Sequence, residues 1–322
     1  MKRYSVLLLF LIGVFGISSK ASTVFDHLRI ASSAHINALG GQNISITDPD
    51  PLTSHSNPAL LAFSPTRSVA LCYMNYVGKS NAAAVHFSDI VKDRSAYSAW
   101  IQYLDWGTMK STSELNQDYG TFHAMDMTIA GGYNYLFFTE LSGGVNGKVL
   151  YSRLAGYSSV ALCVDLGLNY WNKDKGISAS LAVQNLGGQV KPFIDNYEKL
   201  PANLVAGITW KMQHAPISLS VTMPYLNNWN RSSFYSPDGK TLSFGQLFTR
   251  HLVLGMDITL SDSFYIALGY NQRTRAELAG SKGLGGLSIG TGLELNRLSV
   301  ALSFCQYQIS TSSLMINFAF NL

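Results

Sequence analysis

Apolar residues recur at every second position through most of this chain, and this alternation limits the fold more than any other feature of the sequence. Such runs follow one another from Arg67 to the last residue, separated by groups of Gly, Asn, Asp, Lys or Pro. A period of two residues is the signature of a β-strand, so the sequence predicts an all-β chain. In residues 252–260, one face carries Leu252, Leu254, Met256, Ile258 and Leu260, and the other carries Val253, Gly255, Asp257 and Thr259.

The composition of the weaker face separates a soluble β-sandwich from a membrane barrel. A solvated face would be rich in Lys, Glu and Arg, but here it is mostly Gly, Ser, Ala, Asn and Thr. Charged residues make up only 13% of the chain, whereas soluble domains carry roughly 25%. The stronger face is Leu, Ile, Val, Phe and Tyr, as expected of a surface that contacts lipid. The charges within strands fall on the weaker face: Asp126, Lys148, Asp165, Asp257 and Glu294.

We therefore predict a transmembrane antiparallel β-barrel of about 14 strands, an even number as bacterial barrels have. The last strand alternates apolar residues up to Leu322, which suits a strand that pairs with the first and leaves no exposed edge. The predicted strands are 67–77, 81–88, 96–106, 122–136, 140–152, 158–171, 177–184, 203–212, 217–223, 250–260, 263–272, 286–296, 297–307 and 313–322.

The lengths of the connections predict the orientation of the barrel. From the third strand on, tight connections such as Phe137–Thr139 and Ser261-Asp262 alternate with long ones such as Gly107–Thr121, Asn185–Ala202 and Pro224–Thr249. Outer-membrane barrels have short periplasmic turns and longer outside loops. This alternation places both termini in the periplasm, although the first two connections do not follow it.

The first 21 residues are predicted to be a signal peptide that is removed on export to the cell outer membrane. Lys2 and Arg3 precede the apolar run Val6–Ile17, and Ser19-Lys20-Ala21 offers the small residues that signal peptidase needs. An N-terminal anchor helix is the alternative, for which this run is short. After the leader, no apolar stretch reaches the length of about 18 residues that a membrane-spanning helix requires.

Residues 22–64 lack the alternation and are predicted to form an N-terminal plug within a barrel made by residues 65–322. A barrel of about 14 strands is too wide for side chains alone to fill, so an open lumen would leak. The candidate plug motif comprises Gly40 and Gly41, which predict a tight turn, and Asn57, Pro58 and Ala59, which predict another. A periplasmic tail packed beneath the barrel is the alternative.

The sequence offers no convincing catalytic, cofactor or metal site, and we expect a protein that is not an enzyme. Gly286–Gly290 matches the GxSxG pattern, but it lies inside an alternating strand and not at a strand-to-helix elbow. Cys72, Cys163 and Cys305 are too few for a disulfide framework. The seven histidines show no metal-ligand spacing. The net charge of +4 comes without the basic runs of a nucleic-acid binder.

The longest predicted loop, Pro224–Thr249, is a candidate partner-binding loop because it is rich in aromatic residues. Aromatic side chains on an exposed loop are typical of a protein interface. Packing within the loop is the alternative explanation. The aromatic residues concerned are Trp229, Phe234, Tyr235, Phe244 and Phe248.

Several segments resemble known outer-membrane families. Asn57-Pro58-Ala59, which follows the glycine-containing segment Ala38–Ser45, resembles the N-terminal region of the long-chain fatty-acid transporter-like (FadL-like) barrels, which have an N-terminal plug. The resemblance runs over nearly the whole chain after the leader and is clearest at 24–62 and 181–223. Four segments are more specifically similar to the PorQ-like components of the type IX secretion system of Bacteroidota: Val24–Ile30, Ala182–Gly187, Leu200-Pro201 and His214–Pro216.

The resemblance implies a non-enzymatic component of a protein secretion and cell-surface attachment machinery. Such a component anchors partner proteins at the outer membrane, and the resemblance implies PorV, PorU and PorZ as partners besides the lipid bilayer. It carries over no catalytic residue and no cofactor. Transport of hydrophobic small molecules such as fatty acids stays open as an alternative, and it would require an apolar pocket in the lumen. A lipid hydrolase is a third hypothesis, which depends on the GxSxG match alone.

Overall fold

The structure is a computed structural model that describes residues 24–91, 94–112, 118–237, 239–278, 285–306 and 312–322. The predicted signal peptide, residues 1–21, lies outside the described residues. Fourteen antiparallel strands form one closed barrel in which β1 pairs with β14. The predicted fold class and strand number are therefore confirmed. The strands are β1 Ser68–Asn75, β2 Asn81–Val91, β3 Ser95–Thr112, β4 Asp118–Phe138, β5 Leu141–Leu154, β6 Tyr157–Asn172, β7 Ile177–Lys191, β8 Asn203–Lys211, β9 Ile217–Met223, β10 Val253–Ser261, β11 Phe264–Asn271, β12 Leu287–Glu294, β13 Leu298–Cys305 and β14 Ser313–Asn321.

The two faces of the strands differ as the alternation predicts. On β6, Leu162 and Val164 are 50% and 38% exposed, whereas Cys163 and Asp165 are buried. An outward-facing Lys or Arg would cost roughly 2–4 kcal/mol at the middle of a bilayer. Inward-facing charges avoid this cost and can pair with one another. The residues predicted to face the lumen and found buried are Asp126, Lys148, Asp165 and Asp257, and Glu294 is half-buried.

β3, β4 and β7 extend furthest beyond their predicted ends. The prediction of loops over Gly107–Thr121 and Asn185–Ala202 was wrong in part, because β3 and β4 occupy most of the first and β7 continues to Lys191. Met109 pairs with Phe122 above a register shift that begins after Asp105. Backbone hydrogen bonds need no apolar side chain, so the paired ladder continues where the alternation stops.

The N-terminal segment, residues 24–64, lies inside the barrel. Its helix α1, Ala34–Ala38, packs against β11–β14, and its 3₁₀ helix Pro58–Phe63 packs against β3–β6. Because these two groups of strands stand on opposite sides of a closed sheet, the segment crosses the lumen. The segment also contains two further 3₁₀ helices, Asp26–Arg29 and Pro51–His55.

The connections at the two ends of the barrel differ in length. Short turns such as 139–140 and 262–263 lie at the end where the barrel chain begins and finishes. The opposite end carries the long connections 224–252 and 272–286, which include helix α2, Phe244–Thr249, and helix α3, Gln272–Glu277. Across the described part of the chain, no helix has the length and apolar character needed to cross a bilayer.

Candidate functional site

The predicted turn Asn57-Pro58-Ala59 is a capped helix start that is fixed to the barrel wall. Asn57 Oδ1 accepts a hydrogen bond from Ala59 N at 3.0 Å, and Pro58 takes the first helical position, where no N–H is needed. Asn134 Nδ2 on β4 and Ser142 Oγ on β5 each donate to Ala59 O at 3.0 Å. Side chains of two wall strands therefore hold the turn.

Glycines in the wall make room for the predicted motif residues. A Cβ added to Gly167 on β6 would lie 1.9 Å from Asn57 Oδ1. A Cβ added to Gly269 on β11 would lie 2.1 Å from Gly40 N. Both approaches are closer than any real Cβ contact, so glycine is required where the segment touches these strands.

Gly40 and Gly41 form the second predicted turn, with positive φ values of 96° and 82°. Such values favour glycine because it has no Cβ. Ser288 Oγ accepts a hydrogen bond from Gly40 N at 3.0 Å and donates one to Ala38 O at 2.7 Å. The serine of the GxSxG pattern thus lies within β12, as predicted, and binds the backbone of the N-terminal segment.

His35 on α1 forms an ion pair with the wall. Its Nε2 lies 2.6 Å from Asp257 Oδ1 on β10, and its Nδ1 lies 3.5 Å from Asp48 Oδ2. Its ring stacks on Tyr265 at a centroid distance of 4.2 Å. Burial by itself lowers the pKa of His35, but the carboxylates of Asp257, Asp48 and Asp50 outweigh burial and raise that pKa to about 9. His35 is therefore a buried cation that joins the segment to the barrel.

His55 contacts the opposite wall as a neutral ring. Its Nε2 is 2.8 Å from His86 Nδ1 on β2, and the ring stacks on Trp100 at 4.3 Å. Burial, and then electrostatic interaction with His86 and Lys148, lower the pKa of His55 well below its ordinary value. A third histidine, His27, lies 2.8 Å from Thr128 Oγ1. The partners of these histidines lie far away along the chain, so the sequence pattern gives no sign of them.

Lys148 and Asp165 pair within the wall. Lys148 Nζ lies 2.6 Å from Asp165 Oδ2 and donates to Asn185 Oδ1 at 3.0 Å. Asn185, which has a positive φ of 58°, donates its backbone N–H to Asp165 Oδ1 at 2.7 Å. A buried charge that lost its partner would cost several kcal/mol, roughly 3–5, so each member of this group stabilises the others.

Two neighbouring cavities between the N-terminal segment and the wall share part of their lining. The mouth cavity, of about 220 Å³, lies at the end with the long loops and is lined by residues of the segment, of the 224–225 turn and of 271–277. The inner cavity, of about 60 Å³, lies deeper and reaches Trp100, Thr128 and Lys148. Both cavities are lined by Arg29, Ile30, Gly41, Gln42 and Tyr225.

Tyr225 stands between the two cavities and between two arginines. Its φ is 60°, and its backbone N donates to Asn203 Oδ1 at 2.6 Å. The guanidinium carbons of Arg29 and Arg273 lie 5.2 Å and 4.8 Å from the centre of its ring. Burial alone raises the pKa of Tyr225, but the two guanidinium groups together with the Gln42 hydrogen bond lower it below its ordinary value. The environment of this phenol is therefore strongly cationic.

The aromatic residues of the candidate partner-binding loop divide into two groups. Phe234 is buried against Leu242 and Leu247, so it packs within the loop, and its prediction as an exposed contact needs correction. Trp229 stacks on Phe244 and Phe248 at centroid distances of 6.1 Å and 6.5 Å. The exposed fractions of the other four are 39% for Trp229, 64% for Tyr235, 65% for Phe244 and 39% for Phe248.

No family model and no curated protein matches the chain. Among solved structures, the toluene transporter TodX of Pseudomonas putida aligns with a TM-score of 0.57 at 14% identity, over 94% of this chain and 100% of that one. A FadL homologue of Pseudomonas aeruginosa aligns with a TM-score of 0.57 at 10% identity, over 90% and 98%. The monoaromatic hydrocarbon channel CymD aligns with a TM-score of 0.53 at 13% identity, over 90% and 96%. The chain therefore has the fold of the FadL-like barrels.

Proposed function

We propose that the chain transports small molecules across the outer membrane, and that residues 24–64 act as the plug of its barrel. The observation that carries this proposal is the pair of cavities beside the segment. They share Arg29, Gln42 and Tyr225, and together they lead from the long loops toward the middle of the lumen. A transporter needs such a space, and an inert anchor does not.

The fold supports the same proposal. TodX and CymD are named as a transporter and a channel for hydrocarbons, so transport, the alternative weighed in the sequence analysis, is the function that this architecture favours. If the barrel is oriented as other outer-membrane barrels are, its short turns and both termini are periplasmic and its long loops face outward. The hydrocarbon cargo of TodX and CymD is not part of this proposal, because most of the side chains around the two cavities of this chain are polar.

The contacts of the segment suit a plug that moves. Many are hydrogen bonds between lumen-facing side chains and the segment, such as Asn317 Nδ2 to Ser32 O at 3.3 Å and Asn146 Nδ2 to Ser54 O at 3.0 Å. A hydrogen bond contributes a net ~0.5–1.5 kcal/mol, because water can replace either partner. Water entering the lumen can therefore take over these bonds while the barrel strands stay paired.

A reversible cross-link between the segment and the wall tests the proposal. Ser45 Oγ and Thr209 Oγ1 on β8 are 2.8 Å apart, so the double variant S45C/T209C should form a disulfide. Uptake of labelled octanoate and labelled gluconate into proteoliposomes is measured with the oxidised and the reduced variant. We expect uptake of at least one solute by the wild type, loss of that uptake on oxidation, and its return on reduction.

A second cysteine pair controls for cross-linking as such. Ser68 on β1 and Ser88 on β2 have their Oγ atoms 2.8 Å apart within the wall, so S68C/S88C joins two strands that are already paired. Its oxidation should leave uptake unchanged. Uptake that continues while the segment is locked, or wild-type uptake no faster than that of empty liposomes, would overturn the proposal.

Anchoring of a secretion complex is a second candidate function, and the exposed aromatic side chains of the 224–249 loop favour it. Trp229, Phe244 and Phe248 form one stacked group at the outer end of the barrel. Large aromatic side chains often carry the binding energy of a protein interface. The partners implied by the resemblance are PorV, PorU and PorZ.

Co-purification from native membranes tests this second candidate. The double variant Y235A/F244A removes the two most exposed rings of the loop, and it should lose PorV, PorU or PorZ that the wild type retains. The matched control is Y197A, because Tyr197 is 67% exposed on the separate 192–202 connection. Equal recovery of the three partners with both variants would argue against anchoring through this loop.

A further inference from the structure

The mouth cavity concentrates guanidinium groups. Arg29 and Arg273 both line it, and Arg250, which is buried, reaches Glu277 with a nitrogen-to-oxygen distance of 4.0 Å. Two carboxylates, Asp26 and Glu277, stand against these three arginines. Three arginines and two carboxylates leave one positive charge in excess, in a space partly enclosed by protein, where electrostatic attraction is stronger than in bulk water.

The donor geometry of the two lining arginines favours an oxyanion. Each contacts a carboxylate through Nε, Arg29 with Asp26 at 3.0 Å and Arg273 with Glu277 at 2.9 Å. A guanidinium has five N–H donors, so the carboxylate contacts, and the hydrogen bond that Arg29 also makes with the Tyr225 side chain, occupy only part of each donor set. Two guanidinium groups that flank one ring also repel each other. An anion that contacts both groups from the cavity would offset that repulsion and accept bidentate hydrogen bonds.

Several of the other lining residues carry polar side chains. Gln42, Asn271 and Thr274 border the cavity, whereas Ile30 and Pro224 are the apolar residues of its lining that lack a polar side-chain group. Gln42 Nε2 donates to the Tyr225 hydroxyl at 3.3 Å, and Gln42 Oε1 is buried without a hydrogen-bond partner in the described part of the chain. The terminal torsion of a glutamine is soft, so a small rotation would present this acceptor to a ligand hydroxyl.

We infer that the mouth cavity binds a small polar carboxylate, of the sugar-acid or hydroxy-acid class, with its carboxylate contacting Arg29 and Arg273 from the cavity and a hydroxyl on Gln42. The inference rests on the proposed function, because it names the class of cargo. It also separates this chain from the similar hydrocarbon channels, since an alkane or an arene offers no hydrogen bond to the buried Gln42 Oε1 or to the two arginines.

Calorimetric titration of the purified full-length barrel in detergent tests the inference. Four probes separate charge from shape: gluconate, sorbitol as the same polyol without a carboxylate, hexanoate as a carboxylate with an apolar chain, and inorganic phosphate. We expect saturable binding of gluconate. Sorbitol should bind at least about tenfold more weakly, because it lacks the charge that pairs with the arginines. Hexanoate and phosphate carry that charge but lack a carbon-bound hydroxyl for Gln42, so they should bind more weakly than gluconate.

Arginine variants locate the site. R273Q and R29Q should each weaken gluconate binding at least about tenfold, and each should migrate as a folded barrel on unheated gels. R231Q is the matched control, because Arg231 is an exposed arginine of a long outer connection and is not part of the cavity lining. It should bind gluconate as the wild type does. The two separate arginine variants keep the test valid if one of them fails to fold.

Four results would overturn the inference: sorbitol binding as tightly as gluconate, hexanoate or phosphate binding more tightly, gluconate not binding, or folded R273Q and R29Q binding like the wild type. Its failure is distinct from failure of the proposed function. Binding of gluconate without any uptake into liposomes would contradict the transport function and support the binding site. Uptake of octanoate without gluconate binding would contradict the binding site and support the transport function.

Discussion

At the scale of single residues, histidines of the N-terminal segment meet polar partners on the wall. The clearest case is His35, which is buried against Asp257. The pKa of His35 is raised from 6.5 to about 9, so folding stabilises its protonated form. The stabilisation is complete below pH 6.5 and is lost as the pH rises through about 9. At neutral pH the imidazolium therefore helps to hold α1 against β10.

The expected consequence is a loosening of α1 in alkaline solution. Between pH 7 and pH 10, hydrogen-exchange protection of residues 36–41, corrected for the intrinsic rate at each pH, should fall at least about tenfold, because one pKa unit corresponds to a factor of ten. The H35Q variant can still donate to Asp257 but carries no charge, so its protection should change little over this range. A fall of the same size in H35Q would contradict this role for His35.

Side-chain pairing was the part of the site that the sequence could not predict. The alternation identified Asp126, Lys148, Asp165 and Asp257 as lumen-facing, and all four are buried. Their partners depend on which strands stand opposite the folded segment. His35, for example, is 222 residues from Asp257 in the chain. The cluster of Arg29, Tyr225 and Arg273 was missed for the same reason, since periodicity within one strand carries no information about distant loops.

At the scale of elements, the strands were predictable wherever one face meets lipid. There the apolar alternation gives both the position and the facing of each strand, and β9, Ile217–Met223, matches its predicted range. The ends of the strands were not predicted where the strands continue beyond their apolar part. β3 and β4 continue as a paired ribbon around Gly107, whose φ is +76° and whose N–H donates to Asp105 Oδ1 at 2.8 Å. Backbone pairing extends this hairpin, and polar side chains give no signal of it.

The turns of the segment were predictable as turns but not as contacts. Asn57 and Pro58 carry the cap and helix-start chemistry that their residue types indicate. Their dependence on Gly167 and Gly144 appears only when the segment is placed in the lumen, where a Cβ on Gly144 would lie 2.5 Å from Pro58 C. Glycine in a strand can mark the close approach of another backbone, and this signal was present in the sequence without an assigned partner.

At the scale of the whole molecule, the chain forms one closed barrel with its own N-terminal segment across the lumen. The segment contacts strands on opposite sides of the barrel, so its removal should leave a wide water-filled space lined by Ser, Asn, Thr and paired charges. The strands remain hydrogen-bonded in a closed ring and need no contribution from the segment to satisfy their backbone groups.

The most direct test of this account is the ionic conductance of the barrel in planar lipid bilayers, with and without residues 24–64. The full-length chain should conduct little, and the shortened chain, once shown by circular dichroism to keep its β-structure, should form stable open channels. Equal conductance of two folded proteins would contradict the account, because the segment would then not close the lumen.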